Sequence, residues 1–318
     1  MEYRRLGNSG VLVSVIGLGG NTFGRYCDER QTAAIIHRAL ELGINHIDTA
    51  DTYSKGLSEE YIGKAIAGRR HEVVLATKTG YSLHEGPNGQ GLSRRRIIAS
   101  LEASLKRLGT DYVDLFYLHR PDPDTPIEES LRALDDLVRA GKIRYSAVSN
   151  YAAWQVADIL GRCERWGYAR PVVSQSLYNV LERGIEAELI PACRHYGLGI
   201  IPYSPLAGGF LTGKYRPGEP VPPGVRGHDN PAWQQRWLTE RNFRMLAVLE
   251  AFVAERGRAV GELALAWLAA QPVVSSVIVG ATSPEQVESN VRAGEWRLST
   301  EELAELEQRL AAELSQEV

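Results

Sequence analysis

The stretch GINHIDTADTY, residues 43–53, holds one complete unit of the pattern that decides the fold of this chain. Residues 44–48 form a short apolar run that is typical of a buried strand, and Gly43 ends a helix-like segment over 28–42. A second helix-like segment follows at 58–67. The order of helix, strand, polar loop and helix is that of a β/α repeat.

The same alternation of a strand-like and a helix-like run occurs about eight times along the chain. Several of the strand-like runs are apolar nearly throughout, as expected for parallel strands that are buried on both faces. This pattern predicts an α/β fold of the (β/α)8 TIM-barrel type, which needs about 250 residues. The predicted strands lie at 15–19, 44–48, 73–77, 113–118, 145–149, 172–175, 199–203 and 275–279.

Three segments account for the residues beyond the barrel. Residues 3–13, with glycines at both ends of their central turn, are predicted to form a β-hairpin that caps the barrel. Residues 204–237, which contain six prolines, form a long loop after the seventh strand. Residues 300–315 form an extra amphipathic helix at the C-terminus. No linker or low-complexity segment interrupts the chain, so we expect a single domain over 1–318.

The composition is that of an ordinary globular protein, and it excludes several classes. The chain has 318 residues, a formal net charge of −3 and 24% charged residues, which argues against nucleic acid or an anionic membrane as its partner. Its three cysteines contain no C-x-x-C pair, so they exclude a disulfide scaffold and an all-cysteine zinc site. They fit a reducing, cytoplasmic compartment. We see no signal peptide and no apolar run near the roughly 20 residues of a membrane helix. A homo-oligomer is compatible with this composition.

One nucleotide-binding motif is incomplete. Residues 208–214, GGFLTGK, match the start of a phosphate-binding P-loop, but Tyr215 stands where the Ser or Thr that holds magnesium should follow. The chain also lacks G-x-G-x-x-G and H-E-x-x-H, so neither a Rossmann turn nor a zinc protease is supported.

Four polar residues fall at or just after the ends of predicted strands. Asp48 ends the second strand and Tyr53 follows it, while Lys78 ends the third strand and His119 ends the fourth. In a (β/α)8 barrel these positions meet at the catalytic end. Each residue alone has another interpretation: Asp48 can cap a turn, Tyr53 can line a loop, and His119 can be a hydrogen-bonded core histidine. A lysine directly after a buried strand, however, needs a carboxylate partner or a route to water.

These four residues, their spacing and several flanking motifs resemble the aldo-keto reductase family. The motifs are YRRLG at 3–7, GINHIDTA at 43–50, HRPD at 119–122, SN at 149–150, PYSPL at 202–206 and GATSPEQ at 280–286. They cover nearly the whole chain and are most similar to those of bacterial reductases related to voltage-gated potassium channel β subunits. The resemblance implies an oxidoreductase that transfers hydride from a nicotinamide cofactor to an aldehyde or ketone, without a metal.

The resemblance also implies a role for each of the four residues. Tyr53 would be the general acid that protonates the nascent alkoxide, and the Lys78 ammonium is expected to lower its pKa from the ordinary value of about 10. Asp48 would hold Lys78 in an ion pair. His119 would orient the substrate carbonyl and is able to join in proton transfer. Positioned acid catalysis of this kind contributes about 10²–10⁴-fold.

The family pattern further implies a binding site for the cofactor. Ser149, Asn150 and Gln175 would hold the nicotinamide carboxamide, and Tyr203 would stack on the ring. Contacts with the pyrophosphate and the adenosine are implied at Ser204, Leu206, Gly208, Gly280, Ser283, Gln286 and Asn290. Residues 283–286, SPEQ, independently predict a helix N-terminus with a capping box. Such a terminus is either an anion site or merely the well-capped end of the last barrel helix.

The choice of cofactor depends on a departure from the family pattern. Many members carry a lysine and an arginine at the positions of Gly280 and Gln286, where they hold the 2′-phosphate. The channel-related members lack both and use basic residues of the long loop, for which Lys214 and Arg226 are the candidates here. Ser289 also stands where those members tend to have a glutamate. NADPH is therefore expected to be preferred, with NADH as the alternative.

The substrate is expected to be a small carbonyl compound. Phe23, Tyr81 and Arg120 are expected to contact it, and Trp233 of the long loop is a further candidate, although each aromatic residue can equally be packing. Two other functions stay open. A relative of the channel β subunits can bind the cofactor in order to sense or regulate a partner. Alternatively, Lys78 can form a Schiff base in an aldolase.

Overall fold

The computed structural model describes residues 1–225 and 227–315. Arg226, a candidate for the 2′-phosphate, thus lies outside the described residues. The strands of the described part are β1 (Tyr3–Arg5), β2 (Leu12–Ser14), β3 (Ile16–Gly19), β4 (His46–Asp48), β5 (Val74–Thr79), β6 (Val113–Leu118), β7 (Ile143–Ser149), β8 (Val173–Leu177), β9 (Gly199–Tyr203) and β10 (Val277–Gly280). Its α-helices are α1 (Glu29–Glu41), α2 (Leu57–Ala65), α3 (Arg94–Leu108), α4 (Ile127–Arg139), α5 (Ala153–Trp166), α6 (Leu189–Tyr196), α7 (Pro231–Trp237), α8 (Glu240–Ala254), α9 (Val260–Ala269), α10 (Pro284–Glu295) and α11 (Thr300–Leu314).

Strands β3 to β10 form one parallel sheet, in the order β10-β3-β4-β5-β6-β7-β8-β9. The two ends of this sheet meet at an isolated parallel bridge between Ile200 and Val274. There the Ile200 N–H donates to the Val273 carbonyl at 2.8 Å, and the Ser275 N–H donates to the Ile200 carbonyl at 2.9 Å. The sheet is therefore a nearly closed barrel surrounded by helices, and the predicted (β/α)8 fold is confirmed.

The N-terminal hairpin closes the end of the barrel at which the strands begin. Strands β1 and β2 pair in antiparallel fashion, as predicted. Leu6 and Val13 are completely buried and belong to the apolar cluster that fills the barrel, together with Leu115 and Ile201. Gly7, at φ +56°, lies so close to the barrel that a β-carbon would stand 2.2 Å from the carbonyl oxygen of Val172. Only glycine fits at this contact.

The segment between β9 and α8 is the long loop that the prolines indicate. It contains a 3-10 helix over Ala207–Thr212 and the short helix α7, which the sequence did not predict. Trp237 of α7 is 5% exposed, so this part of the loop packs firmly on the barrel. The predicted C-terminal helix is α11, and the Arg309–Glu255 ion pair of 2.8 Å links it to the end of α8. Within the described part of the chain, no helix is long and apolar enough to span a membrane.

Candidate active site

The four polar residues at the strand ends meet at the open end of the barrel. Asp48 is the last residue of β4, Lys78 lies near the end of β5, and His119 directly follows β6. Because these three strands are neighbours in the sheet, their carboxyl ends lie side by side. Tyr53 begins a 3-10 helix over Tyr53–Gly56 in the loop that follows β4.

The Lys78 ammonium connects three parts of this group. Its Nζ forms an ion pair with Asp48, donates to the Thr49 carbonyl oxygen at 2.8 Å and reaches the Tyr53 hydroxyl at 3.5 Å. Lys78 is completely buried, and Asp48 is 3% exposed. The carboxylate partner that a buried lysine requires is therefore present.

Burial and neighbouring charges shift the pKa values of Lys78 and Tyr53 in opposite directions. Burial alone would lower the pKa of Lys78, but the Asp48 carboxylate raises it above its usual value, so the amine is charged at neutral pH. Burial raises the pKa of Tyr53, and the Lys78 ammonium offsets this only in part. The expectation of a lowered Tyr53 pKa is therefore wrong, because lost solvation outweighs the attraction of the ammonium.

His119 is a neutral imidazole at the same end of the barrel. Its ring lies edge-on to the Tyr53 ring, with 6.1 Å between the centroids, and edge-on to the Tyr81 ring at 4.6 Å. Burial, together with the charges of Lys78 and Arg120, lowers the pKa of His119 to about 2. Its Nδ1 is buried and has no hydrogen-bond partner among the described residues. A buried N–H without an acceptor is costly, so we assign the ring proton to Nε2.

Gln175 links the predicted cofactor contacts to the ion pair. Its Nε2 donates to one carboxylate oxygen of Asp48 at 3.0 Å, while Lys78 contacts the other. The sequence predicted Gln175 only as a nicotinamide contact, and the bond to Asp48 is a second connection.

A cavity of about 950 Å³ extends from Tyr53 along the strand ends to α10. Asp48 and His119 also line it. A separate hollow of about 540 Å³ lies on the outside of the barrel and is lined by residues of α3, of α4 and of the end of α5. The residues assigned to the cofactor that line the larger cavity are Ser149, Asn150, Gln175, Tyr203, Ser204, Leu206, Gly208, Lys214, Gly280, Gln286 and Asn290.

Asn150 joins two walls of this cavity. Its Nδ2 donates to the His119 carbonyl oxygen at 3.0 Å, and its Oδ1 accepts from the Tyr203 hydroxyl at 2.9 Å. Its backbone has φ +65°, in the left-handed region that non-glycine residues seldom adopt. Such strain persists only where the surroundings hold it, and it concentrates at functional sites.

Trp233 supports a wall of the cavity and does not line it. The indole N–H donates to the Gly208 carbonyl oxygen at 3.3 Å. A β-carbon on Gly208 would lie 2.4 Å from that indole nitrogen, so the loop and the ring are in close contact. Trp233 as a candidate substrate contact is therefore not supported, because its ring is used to pack the loop.

The predicted capping box at the start of α10 is half correct. The Ser283 hydroxyl accepts from the Gln286 N–H at 3.4 Å, as predicted. The Gln286 side-chain oxygen, however, accepts from the Thr282 N–H at 2.9 Å and not from that of Ser283. Ser283 caps the helix and is absent from the cavity wall, so its assignment as an adenosine contact is not supported.

The three predicted substrate contacts have different surroundings. Phe23 is completely buried in the core, so its prediction as a substrate contact is wrong; the 3-10 turn before it, Gly20–Thr22, leads the chain inward. Tyr81 lines the cavity and is 37% exposed. Arg120 is not among the described residues that line the cavity, and its guanidinium carbon lies 4.6 Å from the centre of the Tyr81 ring, so its contact with a substrate stays a prediction.

The sequence analysis did not predict a buried ion pair between Arg96 and Asp51 next to the site. The Arg96 guanidinium lies 3.1 Å from the Asp51 carboxylate, which also accepts from the Ser100 hydroxyl at 2.7 Å. The same Arg96 nitrogen donates to the Tyr81 carbonyl oxygen at 3.4 Å. The pair thus ties the loop that carries Tyr53 to the loop that carries Tyr81. The only sequence signal was Asp51 itself, which lies inside the motif quoted first.

The residues present fit a nicotinamide dinucleotide. A small carbonyl compound would fill only part of the cavity, and Lys214 supplies a cation along its wall. Burial lowers the pKa of Lys214, which is the effect of a partly desolvated ammonium. Gly209, at φ +98°, leaves room at the loop, since the nearest atom to an added β-carbon is Lys214 Nζ at 3.9 Å.

Comparison with known proteins agrees with this geometry. Residues 15–311 match the family model described as the aldo/keto reductase family. The chain is 38% identical to a probable voltage-gated potassium channel subunit beta of Arabidopsis thaliana, over 92% of this chain and 91% of that protein. It is 37% identical to L-glyceraldehyde 3-phosphate reductase of Escherichia coli O157:H7, over 98% and 93%. It is also 37% identical to human aflatoxin B1 aldehyde reductase member 2, over 87% and 81%. The chain therefore belongs to the aldo/keto reductase family, and it is an NAD(P)H-dependent oxidoreductase.

Proposed function

We propose that this protein reduces small aldehydes or ketones to alcohols with NADPH, and that Tyr53 supplies the proton. One observation carries the proposal: the Lys78 ammonium, held by Asp48, lies 3.5 Å from the Tyr53 hydroxyl on the wall of a large cavity. A fixed cation at this distance stabilises the phenolate that remains once the proton has left.

The side chains of this site suit the proton transfer that carbonyl reduction requires. When bound, a reduced nicotinamide supplies the hydride. The carbonyl oxygen then gains negative charge, and the Tyr53 hydroxyl donates a proton to it. The raised pKa of Tyr53 keeps this hydroxyl protonated at neutral pH, which is the state a general acid needs.

His119 is suited to orient the substrate and not to supply the proton. Because its pKa is about 2, the ring is a neutral imidazole at neutral pH and lacks the acidic proton of an imidazolium. Its Nε2–H is a neutral donor for the carbonyl oxygen, and hydrogen bonds to that oxygen strengthen as negative charge develops there. This division of roles favours Tyr53 over His119 as the acid.

The cofactor side of the proposal rests on the cavity wall. Ser149, Asn150 and Gln175 would hold the nicotinamide amide, with Tyr203 against the ring. Lys214 would pair with the 2′-phosphate of NADPH, and Arg226 would assist it. The three cysteines are free and buried, which suits a reducing cytoplasm as the place of reaction.

The decisive experiment is a steady-state assay of 4-nitrobenzaldehyde reduction with NADPH and with NADH, on the wild type and on Tyr53→Phe. Turnover with NADPH that Tyr53→Phe abolishes supports the proposal. Tight NADPH binding without turnover of any carbonyl compound would instead indicate a cofactor-binding regulatory protein. An aldolase using Lys78 is disfavoured, because Schiff-base formation needs a neutral amine and Lys78 is a charged, ion-paired one. Borohydride trapping of a lysine adduct would reverse that conclusion.

A further inference from the structure

The backbone directly after Tyr53 has a conformation that is costly for ordinary residues. Ser54 and Lys55 have φ of 50° and 57°, and Gly56 follows at φ +95°. Residues other than glycine seldom adopt this left-handed region, because the β-carbon then crowds the backbone. Such a run persists only where neighbouring groups hold it. The groups that contact this turn therefore set the position of Tyr53.

Two contacts hold the turn in place. The Ser54 hydroxyl donates to the Phe23 carbonyl oxygen at 2.7 Å. Arg107, in the last turn of α3, packs directly against Gly56. A β-carbon on Gly56 would lie 2.8 Å from the Cδ of Arg107 and 2.9 Å from its Nε. The side chain of Arg107 thus forms the surface on which the end of the turn rests.

A buried carboxylate fixes Arg107 at this contact. Glu59, in the first turn of α2, is completely buried and accepts from the Nε of Arg107 at 2.7 Å, while a second guanidinium nitrogen lies 2.6 Å from the same oxygen. The other carboxylate oxygen accepts from the Thr77 hydroxyl at 2.6 Å. Both oxygens of Glu59 are therefore used, and each one holds a different element.

Thr77 connects this pair to the ammonium of the site. It precedes Lys78 on β5, and because side chains alternate along a strand, Thr77 faces the helices while Lys78 faces the barrel interior. Glu59 is thus bonded to the strand that carries Lys78, and through Arg107 it contacts the turn that carries Tyr53. Neither Glu59 nor Arg107 is among the described residues that line the cavity.

We propose that the buried Glu59–Arg107 pair positions the Tyr53 hydroxyl relative to the Lys78 ammonium. The inference rests on the proposed role of Tyr53 as the general acid and adds two positioning residues to it. A proton donor must be held within a narrow range of distance and direction, and a displacement of about 1 Å can cost about 10²-fold in rate.

The kinetic test compares variants of this pair with a matched control. Arg107→Met removes the guanidinium, Arg107→Lys keeps the charge, and Glu59→Gln keeps the shape of the carboxylate without its charge. Arg70→Met is the control, because Arg70 forms a similar ion pair of 2.7 Å with Asp114 at the amino end of β5.

The expected effect is on kcat and not on binding. For 4-nitrobenzaldehyde reduction, kcat should fall by about tenfold to a hundredfold in Arg107→Met, with KM and the dissociation constant of NADPH near those of the wild type. Arg107→Lys should recover part of the rate. Arg70→Met should keep kcat even where it lowers the free energy of unfolding. An unchanged kcat in Arg107→Met, or an equal fall in Arg70→Met, would overturn the proposal.

A pH profile supplies a readout that a loss of stability would not move. Oxidation of 4-nitrobenzyl alcohol with NADP⁺ needs Tyr53 as the phenolate, which a more distant ammonium stabilises less. The pH at which this oxidation reaches half its maximal rate should therefore rise in Arg107→Met and in Glu59→Gln, by about half a unit. The same pH in both variants and the wild type would contradict a positioning role.

A crystal structure of Arg107→Met separates this proposal from the reductase function, because it requires no turnover. The distance between Lys78 Nζ and the Tyr53 hydroxyl should exceed the 3.5 Å of the wild type. A displaced hydroxyl would support the positioning role even if no carbonyl compound is reduced, and an unmoved one would overturn it. Glu59→Gln gives the same test if Arg107→Met does not fold. Reduction that survives Tyr53→Phe would refute Tyr53 as the acid, and it would leave the crystallographic result standing.

Discussion

The Lys78 ammonium nitrogen and the Tyr53 hydroxyl oxygen are 3.5 Å apart, and the same nitrogen is ion-paired with Asp48. Burial raises the pKa of Tyr53, so the ammonium acts on a hydroxyl that is still protonated. The ammonium therefore stabilises Tyr53 most strongly after the proton has left, when the side chain is a phenolate. This asymmetry between the two protonation states is what differential stabilisation of a transition state requires.

Replacing Tyr53 by Phe should abolish carbonyl reduction while cofactor binding stays near that of the wild type. The change removes one hydroxyl at the cavity wall, and the proposed cofactor contacts lie on other strands. We expect kcat to fall by at least about 10²-fold, the lower range for positioned acid catalysis. Steady-state kinetics and fluorescence titration with NADPH measure the two effects, with Tyr61→Phe on α2 as the control. If Tyr53→Phe kept more than about a tenth of the rate with chemistry limiting, Tyr53 would not be the acid.

Replacing Lys214 by Ala should weaken NADPH far more than NADH. Lys214 lines the cavity, and a charge-assisted contact with a 2′-phosphate contributes about 1.5–3 kcal/mol, or roughly tenfold to a hundredfold in affinity. Dissociation constants for both cofactors on the same protein give the ratio directly. Lys106→Ala, an exposed lysine in the last turn of α3, should leave both constants as they are. Equal weakening of the two cofactors would remove Lys214 as the discriminating residue.

The Asp51–Arg96 pair should show strong coupling in a double-mutant cycle. Asp51 is 1% exposed and Arg96 is 5% exposed, so Arg96→Met alone leaves a buried carboxylate without its cation. We expect a loss of about 3–5 kcal/mol in the free energy of unfolding for either single change, Asp51→Leu or Arg96→Met. The double variant should lose clearly less than the sum. Urea unfolding gives all the values. Additive losses would mean that the two side chains act independently.

Acid should destabilise the protein through His46, which is completely buried. Burial and the Lys78 charge lower its pKa from the ordinary value near 6.5 to about 4. Between pH 6.5 and pH 4, His46 is therefore protonated in the unfolded chain and neutral in the folded protein. The resulting stability is fully present above pH 6.5 and is lost as the pH falls towards 4, by about 3 kcal/mol.

The test of this pH dependence is urea unfolding of His46→Gln between pH 7 and pH 4. The free energy of unfolding should fall less steeply with decreasing pH than in the wild type. The difference between the two slopes should correspond to the uptake of close to one proton on unfolding. His71→Gln, at an exposed position in the 3-10 turn Arg70–Glu72, serves as the control and should keep the wild-type slope. Identical slopes for His46→Gln and the wild type would show that the pKa of His46 is not lowered by folding.

The fold and the four-residue group were predictable because both depend on local signals. A buried parallel strand appears in the sequence as a short apolar run. A polar residue that ends such a run must lie at the carboxyl edge of the sheet. Asp48, Lys78 and His119 meet for that reason alone, since β4, β5 and β6 are adjacent.

Contacts between distant segments, and the direction of individual side chains, were not predictable. Asp51 and Arg96 are far apart in sequence, and no local pattern pairs them. Phe23 was expected at the cavity, but whether a loop aromatic faces a cavity or the core depends on one turn of backbone. The pKa of Tyr53 was misjudged because the sequence shows the neighbouring charge and not the loss of solvent.

The hairpin that seals the amino end of the barrel has a consequence for how this protein can change over evolutionary time. Leu6, Val13 and Gly7 secure the fold at one end, whereas the loops that meet the substrate stand at the other. Substitutions in those loops can accumulate without loosening the seal. A library for new substrates should therefore vary the loops after β5 and β6 and leave residues 1–14 untouched. The scaffold can evolve new substrate specificity because the two ends of the barrel are far apart. Substitutions in the substrate loops do not disturb the packing of the hairpin at the other end.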